Sequence, residues 1–340
     1  MTIKDLANKT GYAVGTVSRV LNNHPNVSDK ARKAILAAVE ECGFQLNVNA
    51  RQLKQTRSTS ILVVVKGTAN ELFGQLMENI QNLIAQTRYE LHVDYIDEDV
   101  NEVLRAVELC REKKPLGLLF LGGTSEHFRS DFGKIDIPCV LVTNDASEHP
   151  FPNLSSVSTD DRHAARCATQ TLLELGHRDF VLIGGNREIS DTSRLRYEGC
   201  MLALQEKQIP FDEKRDYQGV RYSYQDGYNA TQQLLATGRR FTALFAVADV
   251  MAVGAIRALR DNGLRVPEDV SVMGFDGLSL GSYLVPQLAT IAQNTDTMAK
   301  RSVQILLDCI ENDGKARHET VPFILLRRES IRRIGNEEIL

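Results

Sequence analysis

Residues 2–7 (Thr-Ile-Lys-Asp-Leu-Ala) and residues 11–22 (Gly-Tyr-Ala-Val-Gly-Thr-Val-Ser-Arg-Val-Leu-Asn) decide how the N-terminal part of this 340-residue chain folds. Apolar side chains recur at helical spacing from Ile3 to Thr10, and Gly11 is a residue at which a helix can end. A second helix is predicted from Val14 to Asn22. Two short helices joined by a turn that contains glycine are typical of a helix-turn-helix, which places its second helix in the major groove of DNA.

The rest of the first sixty residues is also predicted to be helical and carries a distinct charge. A third helix is expected between Ser28, which can cap it, and Gly43, and residues 47–54 form a short helix candidate before a polar linker. Residues 1–60 hold nine Lys or Arg and four Asp or Glu, a net charge of +5. The other 31 bases and 40 acids give −9. A basic head on an acidic body fits a head that contacts phosphates.

From Ile61 onwards, short apolar runs alternate with amphipathic stretches. The predicted strands are Ile61–Val65, Leu91–Ile96, Leu116–Leu121, Val140–Thr143, Phe180–Ile183, Ala243–Val247 and Val270–Phe275, and helices are predicted at Phe73–Thr87, Asn101–Lys113, Asp161–Leu175 and Asp249–Asn262. This alternation predicts an α/β fold of parallel sheets flanked by helices. There are too many strands for one sheet, so two similar lobes are expected, with a ligand cleft at the carboxyl ends of their strands.

Several classes of protein are disfavoured by what the sequence lacks. It contains no apolar run of about 18 residues and no signal-peptide pattern, so we expect a cytoplasmic protein without a membrane span. The six cysteines are scattered and are expected to be reduced thiols, with no metal and no cofactor bound. A binding protein for solute uptake would need an export signal. A nucleotide-dependent dehydrogenase would need a phosphate-binding glycine motif, so we do not expect an enzyme.

The second helix offers candidate contacts to DNA. Val14 and Gly15 would face base edges, Arg19 could donate two hydrogen bonds to a guanine, and the hydroxyls of Thr16 and Ser18 could reach phosphates. The helix pattern alone allows an alternative, a plain three-helix packing unit in which Arg19 is a solvated charge.

The head resembles that of the lactose-repressor and galactose-repressor family of transcriptional regulators. The resemblance rests on Ile3 to Ala7, Thr16 to Asn22 and Val27-Ser28, and it extends over nearly the whole chain. Later segments that match the family are Glu174–His177, Arg196–Gly199, Asp249–Gly254, Gly263–Ser271, Gly274–Asp276 and Arg328–Ser330. No single one of these segments is specific for the family, but all of them together are.

The resemblance implies a homodimer on near-palindromic double-stranded operator DNA. It adds Thr2 and Asn22 to the DNA interface, together with a hinge helix at about residues 47–54 that orders on DNA. The hinge residues that match the family are Asn47, Ala50, Arg51, Leu53 and Lys54. In this family a leucine at the position of Leu53 is pushed between central base pairs in the minor groove, which bends the duplex and exposes more of it to the protein.

Three positions depart from the family pattern. Ala13 replaces a usual serine, Gly15 presents no side chain at a base-reading position, and Leu46 replaces a usual proline. Arg19 should therefore carry much of the direct readout. The short tail from Ile331 to Leu340 has no leucine heptad, so a dimer is expected rather than a tetramer joined by a coiled coil.

The resemblance also implies the domain organisation. Residues 1–58 would be the DNA-binding head and residues 59–340 a sensor similar to periplasmic sugar-binding proteins. Its N-lobe would comprise about 60–160 plus 291–321, and its C-lobe about 161–290 plus 322–332. The residues that match the family's effector site are Leu72, Phe73, Thr143, Asn144, Arg196, Tyr222, Asp249 and Asp276. The effector would be a small molecule, a sugar or sugar derivative, that controls the operator affinity of a repressor.

Some of these residues allow other interpretations. Arg196 could be a surface charge and Asp276 could cap a turn. Asp249 is better placed to cap the helix that it begins than to contact a ligand. Ala248 stands where sugar-binding relatives often have Asn, which removes a partner for a sugar hydroxyl. Arg221 could favour an anionic ligand such as a sugar phosphate or uronate, although a solvated loop charge is the favoured interpretation.

Overall fold

The computed structural model describes residues 3–21, 27–42, 59–67 and 70–334. The chain divides into two compact units, Met1–Ser58 and Thr59–Leu340. The first unit contains α1 (Ile3–Thr10), α2 (Val14–Leu21) and α3 (Asp29–Glu41). These helices pack on a small core in which Leu6, Val17 and Ile35 are fully buried.

Local signals explain where the helices of the first unit begin and end. Gly11 has a φ of +74°, a conformation that glycine adopts without strain, and its N–H donates to the carbonyl of Ala7. Ser28 caps α3, because its hydroxyl accepts a hydrogen bond from the N–H of Ala31. Gly43 and the predicted hinge helix at 47–54 lie outside the described residues.

The second unit contains two lobes, each built on a six-stranded sheet. The first lobe contains β1 (Ser60–Lys66), α4 (Glu71–Ile84), β2 (Glu90–Ile96), α5 (Glu102–Lys113), β3 (Gly117–Leu121), α6 (Ser125–Asp131), β4 (Cys139–Val142), β5 (Leu154–Ser158), α12 (Thr295–Asn312) and β11 (His318–Thr320). Its strand order is β11-β5-β4-β3-β1-β2, and all neighbours are parallel.

The second lobe has the same architecture. It contains α7 (Asp161–Glu174), β6 (Phe180–Gly184), α8 (Asp191–Glu206), α9 (Glu213–Asp216), β7 (Tyr217–Gly219), α10 (Tyr224–Ala236), β8 (Ala243–Ala246), α11 (Asp249–Asp261), β9 (Ser271–Asp276), β10 (Ala289–Ala292) and β12 (Ile324–Leu326). The order is β12-β10-β9-β8-β6-β7, and only the β10–β12 pair is antiparallel among the strands described. The predicted α/β class with two lobes of parallel sheet is confirmed.

Burial on both faces of the sheets explains why the long apolar runs predicted strands. In β1, Ile61 and Val63 pack into one core and Leu62 and Val64 into a second core on the opposite face, and all four are buried. A parallel strand covered on both sides needs continuous apolar sequence rather than alternation. The chain crosses between the lobes three times, after β5, after β10 and after β11.

Close packing of α10 against α11 depends on glycine. A Cβ on Gly254 of α11 would overlap the carbonyl oxygen of Tyr224, and one on Gly227 of α10 would overlap the carbonyl oxygen of Met251. Both obstacles are backbone atoms, which cannot rotate away as a side chain can. The two helices hold this spacing only because neither position carries a side chain.

We predict that Gly254→Ala destabilises the second unit by about 1–3 kcal/mol, the usual cost of overpacking a core. The measurement is thermal or urea unfolding of the full chain. Gly74→Ala is the matched control, because Gly74 lies in α4 and a Cβ there meets no atom within 4 Å. Alanine at that helical position should be neutral or stabilising by up to about 1 kcal/mol. Equal melting temperatures for the two variants would contradict the packing argument.

Candidate functional site

Helix α2 exposes the side of the head that was predicted to contact DNA. Val14 is 44% exposed, and Gly15 and Arg19 are also exposed, whereas Val17 and Val20 are buried in the core. The helix therefore presents Arg19 to solvent, as a base-reading residue requires.

The other predicted DNA contacts are less exposed or are not described. Thr16 and Ser18 are half-buried in α2. The remaining predicted DNA contacts, Thr2, Asn22, Asn47, Ala50, Arg51, Leu53 and Lys54, lie outside the described residues. Their role in binding DNA stays a prediction.

A cleft of about 440 Å³ lies between the two lobes, at the carboxyl ends of their strands. Seven of the eight predicted effector residues line it, namely Leu72, Phe73, Thr143, Asn144, Arg196, Tyr222 and Asp276. Each lobe supplies part of this set. The sequence motifs therefore converge on one space, although no ligand contact is observed and the binding roles stay predictions.

Arg196 forms the floor of the cleft and is 3% exposed. Its Nε donates to Oδ1 of Asp161 at 2.7 Å and its Nη1 donates to the carbonyl oxygen of Val247 at 2.5 Å. The guanidinium also lies 3.7 Å from the ring centre of Phe275. Burial opposes its charge, yet Asp161 and Asp276 outweigh that effect and raise the pKa of Arg196. These contacts use Nε and Nη1, which leaves Nη2 for a ligand.

Asp276 ends β9 beside this arginine, with a φ of +113° that is strained for a residue other than glycine. Its Oδ1 accepts from Gln293 at 2.8 Å and lies 3.4 Å from Nη1 of Arg196. Its Oδ2 is buried and has no hydrogen-bond partner. Burial raises the pKa of this carboxyl to about 6. Asp276 lines the cleft, and a buried acceptor without a partner is suited to a hydroxyl or amine of a ligand.

The first lobe contributes an apolar wall and two polar side chains. Leu72 and Phe73 lie in the first turn of α4, which begins where the side chain of Asn70 accepts from the N–H of Leu72. Thr143 follows β4 with a φ of +80° and its hydroxyl donates to Oδ1 of Asn144 at 3.2 Å. The amide of Asn144 is directed back to the carbonyl of a cleft glycine.

Tyr222 closes the second-lobe side of the cleft as an aromatic wall. Its hydroxyl lies 2.5 Å from Oγ of Ser193, which in turn accepts from the N–H of Gly185 at 3.0 Å. A Cβ on Gly185 would lie 2.7 Å from the Tyr222 ring, so glycine is needed there for the ring to fit. The backbone after β6 therefore fixes the ring that faces the ligand space.

Asp249 was assigned incorrectly, both as an effector contact and as a helix cap. It does not line the cleft and is 1% exposed. The cap position of α11 is Ala248, and Asp249 is the first helical residue. Its carboxylate instead accepts from the N–H of Leu278 and the hydroxyl of Thr290, both at 2.7 Å. It thus secures the turn that follows β9, behind the cleft.

Arg221 lies exposed in a loop, as the favoured interpretation predicted, and it also forms ion pairs that the sequence did not indicate. Its guanidinium reaches across the cleft to the first lobe, where it contacts Asp97 at 3.1 Å, Glu98 at 2.9 Å and, at a shorter distance, Asp99. These three acids follow β2. Arg221 is therefore an exposed loop charge whose guanidinium is also paired with acids of the other lobe, and it is not a free cation for an anionic ligand.

Lys66 is a cleft residue that the sequence reasoning missed. It ends β1, and its Nζ forms a short ion pair with Glu102 and donates to the carbonyl of Val100 at 3.0 Å and to the hydroxyl of Thr124 at 3.1 Å. Nδ1 of His127 lies 2.9 Å from the same Glu102 carboxylate. A charged residue at the carboxyl end of a central strand was the signal that could have identified it.

Among residues 3–21, 27–42, 59–67 and 70–334, no helix is long and apolar enough to cross a membrane. The same part of the chain contains no group of three or more His, Cys, Asp or Glu residues arranged to hold a metal ion. All six cysteines are free thiols.

We predict that Asp249→Asn changes how stability depends on pH. Burial, and secondarily repulsion from Asp276, raises the pKa of Asp249 to about 8, against the hydrogen bonds that it accepts. The folded protein thus holds a proton that the unfolded chain releases above about pH 4. The contribution of this group to the free energy of unfolding is therefore largest at low pH. It decreases as the pH rises towards 8, by at most about 1.4 kcal/mol per pH unit.

The Asn variant lacks this titration, so its stability should rise relative to the native protein between pH 5 and pH 8.5. Thermal unfolding across that range measures the difference. Asp136→Asn, at an exposed position outside the cleft, is the control and should leave the native pH profile unchanged. Parallel profiles for Asp249→Asn and the native protein would disprove a proton held at this position.

Comparison with known proteins agrees with the two units. Residues 2–47 match the model for bacterial regulatory proteins of the lacI family, and residues 169–331 match the periplasmic binding protein-like domain. The chain is 35% identical to the HTH-type transcriptional regulator MalR of Clostridium butyricum, over 97% of this chain and 99% of that protein.

Solved structures show the same similarity. A lac repressor dimer bound to operator and the anti-inducer ONPF is 27% identical, with a TM-score of 0.79 over 98% of this chain and 99% of that one. The complex of the transcriptional regulator CelR with cellobiose is 26% identical, with a TM-score of 0.71 over 97% and 99% of the two chains. The relatives are regulators rather than enzymes. The chain therefore belongs to the lacI family of bacterial transcriptional regulators, as its head and its two-lobed body led us to expect.

Proposed function

We propose that this regulator is a repressor whose operator affinity is controlled by a sugar or sugar derivative. Residues 1–58 would be the DNA-binding head with its hinge, and residues 59–340 the sensor and dimerisation module. The main support for the sensor role comes from Asp276 and Arg196 in the cleft between the lobes. Oδ2 of Asp276 is buried there without a hydrogen-bond partner. Such a pair leaves an acceptor and a donor side by side for one polyhydroxylated ligand.

The chemistry of the cleft favours a sugar. Vicinal hydroxyls can donate to a carboxylate and accept from a guanidinium, and charge-assisted hydrogen bonds of this kind are stronger than neutral ones. Phe73 and Tyr222 supply flat apolar surfaces against which the face of a sugar ring can pack. The complex of CelR with cellobiose, which shares this fold, supports the choice of a saccharide.

Coupling between ligand and DNA would act through the crossovers that join the lobes. The hydroxyl of Thr159, which follows β5, donates to Oε1 of Gln293, which follows β10, at 2.9 Å. Closing or opening the cleft bends these crossovers and moves one lobe relative to the other. Couplings of this kind are typically about 1–3 kcal/mol and are reciprocal between the two ligands.

A homodimer on near-palindromic DNA is the favoured assembly. The lac repressor structure with the same fold is a dimer bound to its operator. In the present chain, Tyr283 is 83% exposed and Val285 is 89% exposed, on the segment before β10. Large apolar side chains that project from one segment suit a contact with another subunit. The protein would act in the cytoplasm, where operator DNA is accessible.

Arg19→Ala should abolish the preference for operator over random DNA, at a cost of about 1–3 kcal/mol per half-site. Val14 and Gly15 offer no side-chain hydrogen bonds, so the exposed guanidinium carries most of the direct readout. The operator is first selected from random duplexes with the native protein, and affinities are then measured by gel-shift titration against random DNA.

Lys33→Ala serves as the matched control for charge. Lys33 is an exposed cation of α3, so its loss removes one positive charge without touching the recognition helix. It should weaken binding to operator and random DNA to a similar extent. Unchanged discrimination by Arg19→Ala would exclude the base-reading role.

Asp276→Asn should weaken the response to effector by about tenfold to a hundredfold. A hydrogen bond to a charged group contributes about 1.5–3 kcal/mol, and the amide offers a ligand neither the charge nor two acceptors. A thermal-shift screen of sugars with the native protein identifies a binding sugar, and calorimetry then compares both proteins. Thr231→Ser, in the second lobe but outside the cleft, is the control and should bind normally. Equal affinities for Asp276→Asn and native protein would remove Asp276 from the effector site.

A further inference from the structure

We infer that the effector carries no negative charge and is larger than one sugar ring, so that the cleft rejects phosphorylated and acidic sugars. This inference rests on the proposed sensor function and specifies the ligand class of the same cleft. The main observation behind it is that each of the three cations in the cleft already forms ion pairs with acidic side chains of the protein.

The first cation, Lys66, lines the cleft, but its ammonium group is already paired. Its Nζ is engaged by the fully buried carboxylate of Glu102, the carbonyl of Val100 and the hydroxyl of Thr124. An ammonium group has three protons, and these three acceptors match them. An anionic ligand would have to displace the buried carboxylate of Glu102, whose other side-chain contact is with Nδ1 of His127.

The second cation, Arg196, has two carboxylates around it. Asp161 accepts at 2.7 Å and Asp276 lies at 3.4 Å, and both acids are nearly inaccessible to solvent. One positive charge therefore faces two negative ones. Nη2 can still donate to a neutral hydroxyl, but the local charge does not favour an anion.

The third cation, Arg221, is held by the acidic loop that consists of Asp97, Glu98 and Asp99. Each of the three carboxylates contacts the guanidinium. Asp226 adds a further acid to the same side of the cleft. Across the cleft lining, Asp97, Glu98, Asp99, Asp226 and Asp276 outnumber Lys66, Arg196 and Arg221.

The charge balance therefore opposes an anion wherever it is placed. The buried acids behind the lining, Glu102 and Asp161, make the surroundings still more negative. Repulsion of an anion is strongest near the buried carboxylates of Glu102, Asp161 and Asp276, because the local dielectric is low there. Neutral hydroxyls meet no such barrier, and the unpartnered Oδ2 of Asp276 can accept a hydrogen bond from one of them.

The size of the cleft indicates more than one ring. A volume of 440 Å³ corresponds to that of roughly fifteen water molecules in the liquid. A single pyranose would leave part of this space to water. A disaccharide would fill more of the space between the two lobes and would have more hydroxyls to offer to their polar side chains.

The first test compares neutral disaccharides with their phosphates. Full-length protein is titrated calorimetrically with maltose, cellobiose, trehalose and sucrose, with the 6-phosphate of each, and with glucose, at constant ionic strength. We expect at least one neutral disaccharide to bind, its phosphate to bind at least tenfold more weakly, and glucose to bind more weakly too. A phosphate that binds as tightly as its parent sugar, or a panel in which no neutral disaccharide binds, overturns the inference.

The second test releases Arg221 from the acidic loop. The triple variant Asp97→Asn, Glu98→Gln, Asp99→Asn should reduce the preference for the neutral disaccharide over its phosphate at least tenfold, because an unpaired guanidinium then faces the cleft. The control triple Glu112→Gln, Asp136→Asn, Asp313→Asn changes the net charge equally at exposed positions outside the cleft lining. If both triple variants change the preference for the neutral disaccharide equally, the pairing of Arg221 with the acidic loop does not determine that preference.

The single variant Asp99→Asn is used if the triple variant folds poorly. It should reduce the preference for the neutral disaccharide over its phosphate by a smaller factor.

Operator binding in the same samples separates this inference from the proposed function. If a sugar phosphate binds and alters operator affinity, the sensor role stands and the ligand class is wrong. If operator binding is intact but no sugar of any charge has an effect, the sensor role itself falls.

Discussion

The buried guanidinium of Arg196 is the group on which the rest of the sensor depends. Placing one positive charge where only 3% of the residue is exposed requires compensation from several directions. That compensation comes from the first residue of α7, the carbonyl after β8 and the last residue of β9, so a single side chain of α8 fixes the relative positions of four elements. Removing one partner of such a cluster typically costs about 3–5 kcal/mol, because the remaining charge is left buried.

The same cluster explains why Asp276 is held in an unfavourable state. Its backbone lies at positive φ, its Oδ2 lacks a partner, and burial raises its pKa to about 6. A sequence selected only for stability would remove these features, since each costs free energy. They are understandable if a ligand supplies the missing hydrogen bond, because a preformed acceptor then needs no rearrangement on binding.

The sequence predicted seven of the twelve strands described and most of the cleft, and it missed the interior strands β5 and β10. β5 (Leu-Ser-Ser-Val-Ser) is buried although three of its five residues are serine, so it lacks a continuous apolar run. Strands buried on both faces need continuous apolar runs, so β1, β3 and β9 could be recognised directly. The short strands β7, β11 and β12 could not, because each spans three residues and lies at or near a sheet edge where apolar sequence is not required. The role of Asp249 depends on amide and hydroxyl donors from a turn about thirty to forty residues away, which no local pattern shows.

Arg221 shows a second limit, because its partners lie more than a hundred positions earlier in the chain. The sequence correctly indicated an exposed charge in a loop, but it could not indicate which acids pair with it. The consequence is functional, since a cation that appears available in sequence is neutralised in space. In the proposed sensor, selectivity for ligand charge would depend on this pairing between the lobes.

One hydrogen-bonded path joins the ligand space to the crossovers between the lobes. Oδ1 of Asp276 accepts from Nε2 of Gln293, and Oε1 of Gln293 accepts from the hydroxyl of Thr159. Gln293 and Thr159 both lie on segments where the chain passes from one lobe to the other. A ligand that engages Asp276 therefore alters a group bonded directly to the joints on which the lobes move.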